Sequence, residues 1–128
     1  MARIMIAEDD DAMRRFLARA VQRAGHEVVA VSNGLEGLTM LRHREFDLLD
    51  ADIVMPEIDG LELARRAVEL NPRMVVMFIT GFAAVVLNRR RQDMPAAKVL
   101  SKPFHLRTLV EEIERTLAEK QANKPILA

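Results

Sequence analysis

Asp52 stands where an apolar stretch meets a turn, at the head of the run Asp52-Ile53-Val54-Met55-Pro56-Glu57-Ile58-Asp59-Gly60. Glu8-Asp9-Asp10 closes the chain's first apolar run, and Thr80 and Lys102 close two later ones. Mg²⁺ takes hard oxygen ligands in near-octahedral geometry and keeps several of its waters. Glu8, Asp9 and Asp52 offer it three carboxylates, and a backbone carbonyl just after Asp52 offers a further oxygen. The charges match, because three carboxylates are balanced by a divalent cation and the Lys102 ammonium. Without metal the carboxylates repel one another, which raises at least one of their pKa values. An aspartate can attack a phosphoryl group and hold it as an acyl phosphate. Such a transfer needs alignment and charge neutralisation more than acid–base help. In that chemistry the metal and Lys102 neutralise the phosphoryl oxygens, and the Thr80 hydroxyl donates a hydrogen bond to one of them. Lys102-Pro103 invites a cis peptide that would aim the lysine back at the site.

For these groups to meet, the runs that end on them must be neighbouring strands. Apolar runs at 4–7, 28–31, 46–52, 74–79 and 98–101 predict five strands. Helical spacing separates them. Met13, Phe16, Leu17, Ala20, Val21 and Ala24 give one apolar face, with Gly25 as its stop, and Asp10 or Asp11 supplies the cap. Leu35, Leu38 and Leu41 mark a second helix, and 61–70 a third that Asn71-Pro72 ends. A short fourth is predicted at 83–92, and Leu106, Leu109, Val110, Ile113 and Leu117 share one face of the last. Strands alternating with helices imply parallel pairing through right-handed crossovers, hence an α/β fold with a five-stranded parallel sheet and helices on both faces. Ligands in such sheets sit at the carboxyl ends of the strands, where strand order reverses.

The bulk properties are consistent with one domain. The chain has 128 residues, enough to bury a core without staples. Nineteen basic residues balance nineteen acidic ones, so no overall charge draws it to nucleic acid or an anionic membrane. There is no cysteine, which excludes disulfides and thiolate metal sites. No apolar run is long enough for a signal peptide or a membrane span, so a cytoplasmic location is expected. His26, His43 and His105 lack metal-ligand spacing, and Arg89-Arg90-Arg91 reads as a solvated face. Residues 1–120 are expected to form the domain, with 121–128 a short tail ending in apolar Pro125-Ile126-Leu127-Ala128 and no output domain.

Taken together, the motifs resemble those of response-regulator receiver domains over about residues 2 to 120. Glu8 and Asp9 match that family's acid pair, and Asp52-x-x-x-Pro56-x-x-Asp59-Gly60 matches its phosphoacceptor loop. Ile79-Thr80-Gly81 and Ser101-Lys102-Pro103 match its threonine and lysine motifs. The resemblance implies a flavodoxin-like fold and phosphorylation on Asp52 by a histidine kinase or histidine phosphotransferase. It also implies a Mg²⁺ held by Asp9, by Glu8 through water, by Asp52 and by the Val54 carbonyl. The phrases IMIAEDDDAMRRFL, DIVMPEIDGLELARRA, MFITGFAAV and AKVLSKPFHL are further similar to the stand-alone CpdR-type receivers of alphaproteobacteria. That narrower likeness implies output by protein–protein contact, in which the unphosphorylated form primes a ClpXP-type protease. The only catalysis it implies is the chain's own phosphotransfer. Phosphorylation would bias the face formed by the helix at 83–92, the fifth strand and the last helix.

Two other readings compete. Asp50-Ala51-Asp52-Ile53-Val54 fits the Asp-x-Asp-x-Val signature of haloacid-dehalogenase-type phosphatases, in which the second aspartate acts as acid–base. A structural pseudo-receiver that binds neither metal nor phosphate is the other. The chain also departs from the receiver pattern. Val99 stands three before the lysine, where receivers often carry an aromatic that rotates inward. Val54 and Phe82 stand where a polar side chain would orient a hydrolytic water, so slow self-dephosphorylation is expected. Asp50 occupies a strand position that is usually aliphatic, where burial would be costly unless the carboxyl is protonated or paired.

Overall fold

The computed structural model describes residues 1–81 and 97–122, with the side chains of 121 and 122 left aside. The helix expected at 83–92, with its three arginines, and Phe82 and the tail from 123 onward lie outside the described residues. The elements are β1 (Arg3–Ala7), α1 (Asp11–Arg23), β2 (Glu27–Val31), α2 (Gly34–His43), β3 (Leu48–Asp52), α3 (Gly60–Leu70), β4 (Val75–Thr80), β5 (Lys98–Ser101) and α4 (Leu106–Ala122). All strand pairs are parallel, in the order β2-β1-β3-β4-β5. Strand order reverses between β1 and β3, which places a crevice beyond their carboxyl ends.

Period-two alternation divides the core. Ile4, Ile6, Leu48, Met77 and Ile79 face α1 and α4, meeting Leu17, Val21, Leu109 and Ile113. Met5, Leu49, Ala51, Val76 and Phe78 face the other way, against Leu38 and Leu41 of α2 and Leu63, Ala64 and Ala67 of α3. Each fully buried Leu, Ile or Phe contributes roughly 1.5–3 kcal/mol. Short polar residues set the helix starts. Asp10, Asn33 and Asp59 accept hydrogen bonds from the backbone of Met13, Glu36 and Glu62 respectively. Gly25 ends α1 with φ +99°, a left-handed conformation open to glycine at little cost.

Three large side chains depart from the expected apolar faces, as does the small Ala24. Phe16 is 62 % exposed, Leu35 47 % and Leu106 37 %. Each lies at the margin of a helix stripe whose centre is buried, and spacing does not distinguish margin from centre. Two ties far from the carboxyl ends have no local sequence signal. Arg3 N–H donates to Asp47 at 2.8 Å. His26 accepts from Ala2 N–H through Nδ1 at 3.1 Å and meets Glu114 through Nε2 at 2.5 Å.

Candidate functional site

The carboxyl ends of β1 and β3 carry the acids. Ile6 of β1 pairs with Asp50 of β3, so two residues further on Glu8 and Asp52 project on the same side of the sheet. Glu8 and Asp52 are buried and Asp9 is exposed. One carboxylate oxygen from each lies within 4.8 Å of the other two. Lys102, just past β5, closes the group from the other side. Its ammonium donates to Asp52 Oδ2 at 2.9 Å and to Glu8 Oε1 at 3.2 Å. The Lys102-Pro103 peptide is cis, as the sequence invited.

The surrounding backbone fixes these side chains. Asp10 N–H donates to Glu8 Oε2 at 3.1 Å, and Val54 N–H donates to Asp52 Oδ1 at 3.2 Å. Arg14 donates to the Glu8 carbonyl at 2.9 Å, from one turn into α1. Sequence reading gave Arg14 no role; only its place in the first turn after the acids hinted at one. Gly60 N–H donates to the Ile53 carbonyl at 2.9 Å and closes the turn after Asp52. A Cβ at Gly60 would run into the Asp52 carbonyl, so the glycine lets α3 begin hard against β3.

Thr80 ends β4 fully buried, one residue past Ile79, the register partner of Asp52. Its carbonyl accepts from Lys102 N–H at 2.9 Å, which joins the threonine and lysine strand ends. Glu8, Asp9, Asp52 and Lys102 thus come together, and Thr80 is placed on the adjoining strand end. Val54 is 56 % exposed at the mouth of the turn.

Electrostatics point to unmatched negative charge. Burial pushes the Glu8 carboxyl up to about 7; the Asp52 charge adds to this, while Asp10 N–H and Lys102 oppose it. Burial works against the Lys102 ammonium, but hydrogen bonds and charges from Asp52 and Glu8 outweigh it and raise its pKa. Asp50 is 1 % exposed, and its Oδ2 has no hydrogen-bond partner. Burial holds this carboxyl well above the usual range, and the charges of Glu8 and Asp52 hold it higher still. An oxygen-only donor set with excess negative charge fits a hard divalent cation.

Doubly wound order, an acid pair beyond β1, an aspartate at the end of β3 and a lysine beyond β5 define a receiver. The chain belongs to the response regulator receiver domain family, whose model matches residues 4–114. It is 56 % identical over 117 residues to the response regulator receiver protein CpdR of Brucella abortus, covering 91 % of this chain and 98 % of that one. It is also 33 % identical over 122 residues to the sensor kinase CckA of the same organism, covering 94 % of this chain but only 13 % of the kinase. The crystal structure of a CheY-like receiver domain protein from Methanospirillum hungatei superposes with a TM-score of 0.85 at 28 % identity, covering 97 % of this chain and 99 % of that one. These likenesses agree with the expected fold and family.

Proposed function

We propose that this protein is a single-domain phosphorylation switch that accepts a phosphoryl group on Asp52 from a phosphohistidine of a histidine kinase or histidine phosphotransferase. The observation that carries this reading is the Lys102 ammonium bonded to both Asp52 and Glu8, opposite three carboxylates gathered within 4.8 Å. Glu8, Asp9, Asp52 and the Val54 carbonyl would hold Mg²⁺, which supplies charge neutralisation for the phosphoryl oxygens. Asp52 Oδ is the nucleophile, oriented by Lys102 and the Val54 N–H. Lys102 then follows the new oxygens, and the Thr80 hydroxyl donates to one of them. No catalytic role beyond this self-phosphorylation is assigned. Residues 1–120 would act as the domain, in the cytoplasm, with 121–128 as a tail.

The output we assign is protein contact, along the lines of CpdR-type control of a ClpXP-type protease through a ClpX-type unfoldase. The likeness to CpdR along nearly its whole length supports this. The family match does not favour the phosphatase reading, and the burial of Asp50 opposes it, since in that reading Asp50 is the attacking carboxylate and a sealed carboxyl cannot reach a substrate's phosphoryl group. Among the described residues no helix is long and apolar enough to cross a membrane.

Incubation with acetyl phosphate and Mg²⁺, followed by intact mass, tests the reading. One phosphoryl adduct is expected on the parent and none on Asp52→Ala. A chain that stays unmodified with Mg²⁺ present would be a pseudo-receiver, and continuous release of phosphate would mark a phosphatase.

A further inference from the structure

Asn33-Gly34 is the chain's one Asn-Gly pair; its other asparagines, Asn71, Asn88 and Asn123, precede Pro72, Arg89 and Lys124. An asparagine side-chain amide is open to attack by the backbone nitrogen of the next residue. Glycine hinders that attack least, because it has no Cβ and turns most freely, whereas proline has no N–H to lose. The pair forms the start of α2. Asn33 Oδ1 accepts from Glu36 N–H at 2.8 Å, and the Asn33 carbonyl accepts from Gly37 N–H at 3.1 Å. Asn33 Nδ2 donates to Ser32 Oγ at 3.4 Å, and that hydroxyl donates to Glu36 Oε2 at 3.1 Å. The backbone at Asn33 is extended, with ψ 169°. Gly34 is buried, and a Cβ there would run into the Ile58 carbonyl. The start of α2 thus rests against the loop between Asp52 and Gly60.

We propose that Asn33 is a hydrolytic modification site gated by the start of α2, and that one of its two products disables the phosphoacceptor loop. Gly34 N, giving up its proton to solvent, attacks Asn33 Cγ. The Cγ–Nδ2 bond breaks, ammonia leaves and a five-membered imide remains. Water then opens the imide. Cleavage between Gly34 N and Cγ gives an aspartyl residue. Cleavage between Gly34 N and the former main-chain carbonyl gives an isoaspartyl residue, whose main chain runs through Cβ and Cγ. Ring closure needs rotation about the Cα–C bond of Asn33 and loss of the bond from Glu36 N–H, so the closed helix start suppresses the reaction and each opening permits it. The aspartyl product caps α2 as well as asparagine does. The isoaspartyl product adds one main-chain atom where Gly34 is already hard against Ile58. The strain passes to the Ile58 loop, one residue before Asp59 caps α3 and two before Gly60 seats on the Asp52 carbonyl. That last effect rests on the function proposed above; the hydrolysis does not.

The full chain is aged at mildly alkaline pH, both folded and in urea, and peptide mapping by mass spectrometry follows each asparagine. In urea Asn33 should convert first. In the folded chain it should convert about ten- to a hundredfold more slowly. Ile58→Ala removes side-chain packing behind Gly34 and should speed the folded reaction severalfold, with circular dichroism confirming that the variant is folded. Earlier conversion of another asparagine in urea would overturn the site. Equal folded and unfolded rates, no folded conversion by the time the unfolded chain has turned over completely, or indifference to Ile58→Ala would overturn the gate. The isoaspartyl form, identified by isoaspartyl methyltransferase labelling and separated by chromatography, should accept phosphate from acetyl phosphate with Mg²⁺ severalfold more slowly than fresh protein. Asn33→Ser keeps a cap but has no amide, so it should age without that loss, which sets aside rearrangement at Asp59-Gly60. Normal phosphorylation of the isoaspartyl form would overturn the link to the loop alone. If fresh protein forms no adduct, the function proposed for Asp52 falls and the link with it, while hydrolysis at Asn33 is judged on the mapping.

Discussion

Asp50 and Asp52 leave β3 on the same side of the sheet, Asp50 sealed between Ile6 and Met77 and Asp52 one pleat further out, bonded to Lys102. One carboxyl therefore meets Lys102 near the mouth of the site while the other is sealed beneath it. The sealed one has no visible structural benefit.

Replacing Asp50 by Asn should stabilise the metal-free protein. Because its folded-state pKa is raised, the native chain holds that proton more tightly than the unfolded chain does. The cost is therefore absent below the unfolded value of about 4 and grows as pH rises above it. Urea unfolding at about pH 8 should favour Asp50→Asn by about 1–3 kcal/mol, with the difference vanishing near pH 4. Equal stability at both pH values would contradict this account.

Metal affinity should depend on pH through Glu8. With its carboxyl pushed up to about 7, the metal-free site is protonated at slightly acid pH and must release that proton to bind. Calorimetric Mg²⁺ titrations should show affinity falling by up to about tenfold per pH unit below neutrality. In metal-free protein the same carboxyl favours folding below its unfolded value, and that contribution is lost as pH rises toward 7. A flat affinity from about pH 8 to 6 would sink the prediction.

Lys102→Met removes the cation that bonds both buried carboxylates. Thermal unfolding without metal should show a loss of about 2 kcal/mol. Added Mg²⁺ should raise the midpoint more in the variant than in the parent, because the metal then supplies the missing positive charge. An unchanged midpoint would mean that the two hydrogen bonds contribute nothing.

Gly60→Ala should lower stability by about 1–3 kcal/mol, since its Cβ meets backbone at Asp52 and Ile53 rather than a movable side chain. Phosphorylation by acetyl phosphate should slow as well, because the turn carrying Asp52 must shift. A variant that matches the parent in both assays would show that the turn relaxes freely.

The acyl phosphate on Asp52 should persist for minutes or longer in purified protein. Val54 stands open at the mouth of the site and has no group with which to orient an attacking water. Timed intact-mass measurements after removal of acetyl phosphate check this. Decay within seconds would show that another residue positions the water.

Much of this architecture was legible in the chain. Apolar runs four to seven residues long, broken by capping residues, located every strand within one or two residues. Acids, threonine and lysine at run ends then had to converge once the sheet was parallel. Phe16 and Leu106 were misread because helical spacing reports a stripe but not its width. The His26–Glu114 contact joins residues 88 apart, and a pairing at that range leaves no local pattern. Asp50 stood out as a misfit, yet its lack of a partner became visible only from its packing.

The parallel pairing of β1 with β3 has one more consequence. Positions 8 and 52 are adjacent only once the sheet has formed, so an unfolded chain has neither cradle nor acceptor. A cation held there would by mass action become a folding ligand: at about a hundred times its dissociation constant it would add about 2.7 kcal/mol. Kinase input would by the same logic act as quality control, marking only those molecules whose sheet is intact.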